Sequence, residues 1–507
     1  MTYTEEDRTL VSDGGEEADI EAQVLNGAIN ELDSGDGAPV IEETEKTREE
    51  ILFDELAGIL NHEGLTVEEV DALFERIGFG RGTEVSVETI ADSIREGNGG
   101  NGMRSIETDM TEILNALKSI PEGTEEEIHA LSIGGTHVKA GKVKVKVDRS
   151  LDVQSFYECE LKDGETIKTC ATATEFWKHV LPAEFIQEIT NDINAGKPIN
   201  IALTCGWPIQ MTSETDGYSL HFSDKIQCDE LAPLNSNGRE QNPGQKVSMA
   251  QSFCDFMRSA YGLTIEKDCV AISPNDTVSS ALAYGKDGAF ILGTGTNGAT
   301  LSNGKATNLE AGRFTFEGSQ IDKNVCQKNK KSVEFETLAA GAVMGDAFIY
   351  AIKHFFGEEH DLHKKLLSLA EPKKLNDTVT WLIFSFVYGG KEPSNTFNDQ
   401  EKAILKLIAT QFTERSADYC ARILAGTEEV TKTKFTFVAE GSLITENSRH
   451  VARINEIYKE LSGNDREILV AEQLKVSGEN ANKVDGSLAG TAVLGFANAL
   501  IKAREKK

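Results

Sequence analysis

The sequence predicts an α/β protein in which sheets are flanked by helices. From residue 125 onward, strand-like and helix-like stretches alternate along the chain, the pattern that packs helices against sheets. Two of the strands run into glycine turns that also carry threonine, "SIGGTH" and "ILGTGT". The chain has 507 residues, 39% of them hydrophobic, enough for two or three domains with sizeable cores.

The strands are read at "IHALSIGG", "KVKVKVDRS", "INIALTCG", "DCVAIS", "GAFILGTG" and "KFTFVAE". Helical stretches are read at 247–263, 277–285, 333–356, 398–424 and 486–503, where apolar residues recur at helical spacing.

Before residue 125 the character changes twice. Up to Glu50 there are 16 Asp/Glu against 3 Lys/Arg, with almost no aromatics. Such a segment buries too little apolar surface to offset its ordering entropy, so residues 1–48 are expected to be an acidic, disordered tail. Residues 49–104 read as a small helical module and linker. Ile51, Leu52, Leu56, Ile59 and Leu60 share one helical face, and Val67, Val70, Leu73, Phe74 and Ile77 another. "REGNGGNGMR" has the composition of a flexible linker.

The net charge of −32 argues against a nucleic-acid surface, because an acidic chain repels phosphate unless basic residues cluster. The densest run, Lys328–Lys331, reads as a solvated loop. Eight cysteines are scattered without zinc or redox spacing, which points to reduced thiols in a cytoplasmic compartment. No signal peptide and no membrane span are expected.

The stretch 293–298, "GTGTNG", matches G-x-G-x-x-G, the spacing of a dinucleotide-binding turn. That turn requires a helix to follow, with its N-terminus facing the pyrophosphate. Here "GATLSNGKATN" follows, β-forming residues around an Asn303-Gly304 hairpin turn. The glycines fit better as half of a phosphate clamp, with "IGGT" at 133–136 as the other half. Glycine lets backbone N–H groups approach an anion, and threonine adds a hydroxyl donor.

Over residues 110–505 the chain resembles the hexokinase family, with its motifs in order. "ALSIGGTHVKAG" resembles the first phosphate loop, "LTCGWPIQ" the sugar loop, and "SPNDTVSSALAYG" the segment of the catalytic aspartate. "ILGTGTNGA" resembles the second phosphate loop and "VEFETLAAGAVMGD" the sugar-binding helix. "VAEGSL" and "DGSLAGTAV" resemble the adenosine and second connecting motifs. The resemblance implies a two-lobed, actin-like (ribonuclease H-like) hexokinase fold with a nucleotide and sugar cleft between the lobes. A small domain would comprise 105–275 plus 487–507, and a large domain 276–486. The first 105 or so residues lie outside the resemblance.

The resemblance implies ATP-dependent phosphorylation of a hexose, glucose by default, with Mg²⁺ accompanying ATP. Asp276 would be the general base. Asn275, Asn297, Glu317, Glu336, Ser223, Lys225 and Pro208 would line the sugar site. Gly134, Gly135, Thr136, Gly293, Thr294 and Gly295 would face the phosphates, and Gly441 and Ser442 would border the adenosine. For Asp276 the alternative is a simple helix cap, and for Glu336 a solvated helix face. No membrane or nucleic-acid partner is expected. A protein partner could engage the N-terminal extension, and the family includes both monomers and dimers.

The chain departs from the family's pattern at several positions. Ser132 stands where the first phosphate loop has an aspartate that helps place Mg²⁺, and a neutral hydroxyl is a weaker partner for a hard dication. Gly206 replaces a serine of the sugar loop. Phe222-Ser223-Asp224 stands where the family has Trp-Thr-Lys, with Lys225 adjacent. Glu440 replaces an aspartate, and Ala489 a basic residue. These changes open a second reading: a hexokinase-like protein with weak or no turnover that acts as a sugar- or nucleotide-responsive binding module.

Overall fold

The computed structural model describes residues 85–96, 105–134, 137–161, 168–220, 226–231, 246–315, 318–389 and 396–506. The acidic tail, most of the helical module and the linker lie outside the described residues. So do Gly135, Thr136, Phe222 to Lys225 and Glu317.

Two sheets dominate the fold, and both have the same strand pattern. In the first, Glu125–Ile133 pairs antiparallel with His137–Lys146, which pairs antiparallel with Leu151–Val153. On its other side Glu125–Ile133 pairs parallel with Ile201–Cys205, and that strand with Val270–Ile272. In the second, Gly288–Leu292 pairs antiparallel with Thr296–Ser302, and that strand with Lys305–Asn308. On its other side Gly288–Leu292 pairs parallel with Phe437–Glu440, and that strand with Leu469–Val470. Each sheet is therefore an antiparallel meander continued by two parallel strands.

The expected strands all form. The helices form close to their expected bounds, at Met249–Tyr261, Asp276–Tyr284, Asp399–Thr431 and Gly486–Glu505. The stretch 333–356 divides into Phe335–Ala339 and Gly341–Phe356, because Ala340 is extended. Lys328 ends the helix Gln320–Lys328 rather than opening a loop. The hairpin at Asn303-Gly304 has both residues at positive φ, 52° and 81°, as a type I′ turn requires.

The helices Thr172-capped Ala173–Val180, Ala183–Asn194 and Met249–Tyr261 cover one face of the first sheet through Phe176, Trp177, Phe185 and Phe253. Between the sheets lie Asp276–Tyr284 and Gly486–Glu505, which share a core with Ile128 and Ala130 of one sheet and Ala299 and Ala306 of the other. They cross so closely that a Cβ on Gly490 would overlap the Ser279 carbonyl. Gly486–Glu505 is, among the described residues, the one helix long and apolar enough to cross a membrane, yet it is largely buried in this core. The second sheet carries the largest core, with Phe348, Phe384, Phe412 and Tyr458 packed on Phe290 and Phe437.

The described residues ahead of residue 125 are built into this frame. Helix Val87–Glu96 buries Ile90, Ala91 and Ile94 against Asp399–Thr431, where Gly426 leaves room for Ile90. Strand Ile106–Asp109 pairs with Lys305–Asn308 at the edge of the second sheet. Val476–Ser477, in turn, pairs with Leu151–Val153 in the first sheet. Each sheet thus takes one strand from the sequence range assigned to the other lobe.

Candidate active site

Asp276 stands at the start of the helix between the two sheets. Its neighbour Asn275, not Asp276, is the N-cap: Asn275 Oδ1 accepts the Thr277 N–H at 2.7 Å. The capping alternative for Asp276 is therefore taken up by Asn275. A buried hydroxyl set fixes this corner. Ser279 Oγ lies 2.8 Å from Ser273 Oγ and 3.3 Å from Thr204 Oγ1, and the Ser273 hydroxyl donates to the Asn275 carbonyl at 3.0 Å. Pro208, buried in the sugar loop, is tied to the same corner, since the next residue donates its N–H to Pro274 (Ile209 to the Pro274 carbonyl, 3.0 Å). Burial pushes the Asp276 carboxyl up to about 6, against hydrogen bonding from Thr277 and with the Asp485 charge adding to it.

Asn297 braces the site from the second sheet. Its Oδ1 accepts the N–H groups of Gly298 at 2.8 Å and Ala311 at 3.1 Å. Its Nδ2 donates to Asn308 Oδ1 at 2.8 Å and to Asn275 Oδ1 at 3.3 Å. Asn297 thereby links the Asp276 corner to the second sheet through its bond to Asn275.

Glu310, not singled out from sequence, joins the cluster through this link. It sits at φ 51° and accepts a bond from Asn308 Nδ2 at 2.8 Å. Burial raises its carboxyl to about 7; Asn308 and Arg313 work against the rise, and the charges of Asp276 and Glu336 add to it. The hairpin register held a signal for it. The Asn303-Gly304 turn sets Asn308 opposite Ala299, which brings Glu310 to the side of Asn297. Of the two glutamates named from sequence, Glu317 lies outside the described residues and Glu336 faces the site. A Cβ on Gly295 would come within 2.9 Å of Glu336 Oε2, and one on Gly312 within 3.4 Å. Glu336 is thus a partly buried carboxylate enclosed by two glycines rather than a solvated helix face.

The second glycine turn, Gly293–Gly295, joins antiparallel strands that pair Leu292 with Thr296. No helix follows it, so the dinucleotide arrangement is absent here. The Gly293 N–H bonds to the Gly295 carbonyl at 2.9 Å, and Thr294 is exposed at the tip. The Gly341 N–H, at the start of its helix, donates to the Gly293 carbonyl at 2.8 Å. Gly441, at φ 91°, and Ser442 lie on the other side, with the Ser442 N 3.6 Å from a Cβ placed on Gly293. Phosphate-turn and adenosine-motif residues therefore meet in space. At the first turn the Gly134 N–H bonds to the His137 carbonyl at 2.9 Å.

The departures also find places. Ser132 is buried and its hydroxyl pairs with that of Ser487 at 2.7 Å. Asp485 caps the last helix and holds Lys139 at 2.7 Å. Glu440 accepts a short hydrogen bond from the Tyr284 hydroxyl. Ala489 is fully buried between the sheets.

Among the described residues Mg²⁺ has no preformed protein site: no group of three His, Cys, Asp or Glu side chains is placed to hold a metal. Near the phosphate turns, Asp485 is engaged by Lys139, Glu440 by Tyr284 and Ser132 by Ser487.

No protein-family model matches the chain, and no curated protein matches it by sequence. Solved structures do match by shape. A hexokinase crystal structure aligns at a TM-score of 0.55 and 18% identity over 90% of this chain and 100% of its own. A hexokinase from Schistosoma mansoni complexed with glucose aligns at 0.56 and 15% identity over 89% and 99%. A ROK hexokinase from Thermus thermophilus, at 14% identity, reaches a TM-score of only 0.38, too low to bear on this chain. With its repeated strand pattern, its helices between two sheets and its two glycine turns, the chain has the two-lobed hexokinase fold.

Proposed function

We propose that the protein is an ATP-dependent hexose kinase that transfers the γ-phosphoryl group to the 6-hydroxyl of a hexose, glucose by default. The observation that carries this reading is the grouping of Glu310 within reach of the charges of Asp276 and Glu336, with Glu336 seated over Gly295. Glu310 and Glu336 would accept bonds from sugar hydroxyls, since a polyol presents many donors. Asp276 would take the proton of the attacking hydroxyl, and a carboxyl raised to about 6 is matched to base work near neutrality. The two glycine turns would hold the phosphates, with Thr294 directed to the nucleotide and Gly441–Ser442 beside the adenosine. Ser223 and Lys225 complete the proposed sugar site, and Gly135 and Thr136 the first phosphate loop. The proposed lobes, 105–275 with 487–507 and 276–486, would close on the sugar and exclude water as a competing acceptor. Mg²⁺ would arrive with the nucleotide and neutralise phosphate charge; this chain's own residues supply the base, the sugar acceptors and the backbone donors.

A second reading is favoured by one observation. Ser132, locked to Ser487, gives no carboxylate where the family places one. This favours a binding module with weak turnover. A coupled assay of the purified chain with ATP, Mg²⁺ and a hexose panel decides. The kinase reading expects turnover that Asp276→Ala abolishes while sugar binding persists. Equal background ADP from both proteins overturns it.

A further inference from the structure

Glu440 ends the strand Phe437–Glu440, directly before Gly441 and Ser442. It pairs in register with Ile291, two residues ahead of Gly293. Its side chain turns away from solvent into a junction of three elements. The Tyr284 hydroxyl, from the last turn of the helix that begins at Asp276, donates to Glu440 Oε1. Gly486, the first residue of the final helix, lies so close that a Cβ there would sit 2.6 Å from Glu440 Oε1 and 3.0 Å from Ser280 Oγ. Ser280 Oγ is buried and has no hydrogen-bond partner among the described residues. Gly441 itself, at φ 91°, has no room for a side chain: a Cβ would stand 2.5 Å from the Leu292 carbonyl oxygen. Glu440 is thus seated directly ahead of the Gly441–Ser442 loop that lies against the Gly293 turn.

We propose that Glu440 is a positioning residue for the Gly441–Ser442 loop, and that it takes up a proton when nucleotide phosphates dock against the Gly293–Gly295 turn. This rests on the proposed nucleotide reading of that turn.

The charged groups around Glu440 set the direction. Asp485, before the final helix, opposes ionisation of Glu440, and Lys139, from the first sheet, favours it but is itself held by Asp485. Glu472 faces Tyr284 and is paired with Lys286. Burial raises the Glu440 carboxyl to about 7, with the Tyr284 bond working against the rise. At neutral pH the group is therefore poised between its two forms. A polyphosphate brought to the adjoining turn adds negative charge, which favours the protonated form and draws a proton from solvent. The protonated carboxyl gains an O–H donor, and Ser280 Oγ, the buried oxygen on the same side of Gly486, is an acceptor without a partner among the described residues.

The test is calorimetric titration of the full chain with ATP and Mg²⁺, without sugar, at pH 7 in buffers of different ionisation enthalpy. The slope of apparent enthalpy against buffer enthalpy counts protons taken up. Subtracting the Glu440→Gln result removes the ligand's own protonation. The wild type is expected to take up more than Glu440→Gln, by up to roughly half a proton per nucleotide. Tyr284→Phe removes only the donor hydroxyl, so it is expected to move the pH of greatest uptake upward. Nucleotide binding with equal slopes for wild type, Glu440→Gln and Tyr284→Phe overturns the proposal and leaves the kinase reading standing. Absence of any ATP binding by the wild type overturns both.

Discussion

The two glycine turns occupy equivalent places in two sheets of the same strand pattern, yet their surroundings differ. The Gly293–Gly295 turn is clamped. It receives the Gly341 N–H, lies against Ser442, and has Glu336 seated over Gly295. The Gly134 turn has instead a hydroxyl pair, Ser132 with Ser487, and an ion pair, Lys139 with Asp485. One turn is wired to the carboxylates of the proposed sugar site, the other to the start of the final helix. A repeated supersecondary unit thus acquires separate tasks from what packs on it, because backbone N–H groups alone do not distinguish one anion site from another.

The largest expected effect removes the proposed base at the start of the helix Asp276–Tyr284. Asp276→Ala should lower kcat about 10³-fold in the coupled assay, in the range of a lost general base, while sugar binding by calorimetry changes little. Retained turnover would place the base elsewhere.

Next comes the helix crossing that joins the two halves. Gly490→Ala forces a methyl into the Ser279 carbonyl and should cost about 3 kcal/mol in denaturant unfolding, at the upper end of overpacking effects. A neutral result would mean the helices separate easily.

The comparison between the turns is tested directly by alanine at each. Gly295→Ala places a Cβ 2.9 Å from Glu336 Oε2, whereas Gly134→Ala meets the His137 carbonyl at 3.1 Å. Gly295→Ala is expected to raise the sugar KM about tenfold, since one displaced hydrogen-bonded charge is worth roughly 1.5–3 kcal/mol. Gly134→Ala should leave the sugar KM alone and affect ATP. The same sugar KM for both variants would dissolve the distinction.

A smaller effect is expected from Ser132→Asp, which should lower the KM for Mg²⁺·ATP a few-fold and reduce Tm, because a buried carboxylate replaces a satisfied hydroxyl pair. An unchanged ATP KM would detach Ser132 from metal placement.

The smallest concerns pH. The Asp276 carboxyl is raised by folding, so its ionisation opposes the folded state as pH rises from about 4 through about 6. Asp276→Asn should therefore gain stability over wild type as the pH rises from 4 to 8, read as Tm against pH. Equal Tm profiles would mean that the carboxylate keeps its water.

Much of this was legible in the sequence. The alternation of strands and helices, the two strand–glycine–strand turns and the Asn303-Gly304 hairpin are local signals, and each was realised. The position of Asp276 at the opening of a helix after a strand is a local signal, while the role proposed for it comes from the family resemblance. Glu310 was not singled out, because its place depends on pairing across the hairpin and on Asn297 reaching both Asn308 and Asn275. Asn297, expected at the sugar site, has its oxygen and nitrogen bonded within the protein in this structure, which no local pattern reveals.

By itself the sequence determined the elements: periodicity, turn residues and caps act over a few residues, so they can be read without knowing the fold. Only the tertiary structure decided which of these residues meet. It set Glu336 over Gly295, placed Ser132 against Ser487 across 355 positions, and seated Glu440 between Tyr284 and Gly486. Such contacts depend on how two sheets and two crossing helices pack, and close packing admits only residues whose shapes agree at a distance along the chain.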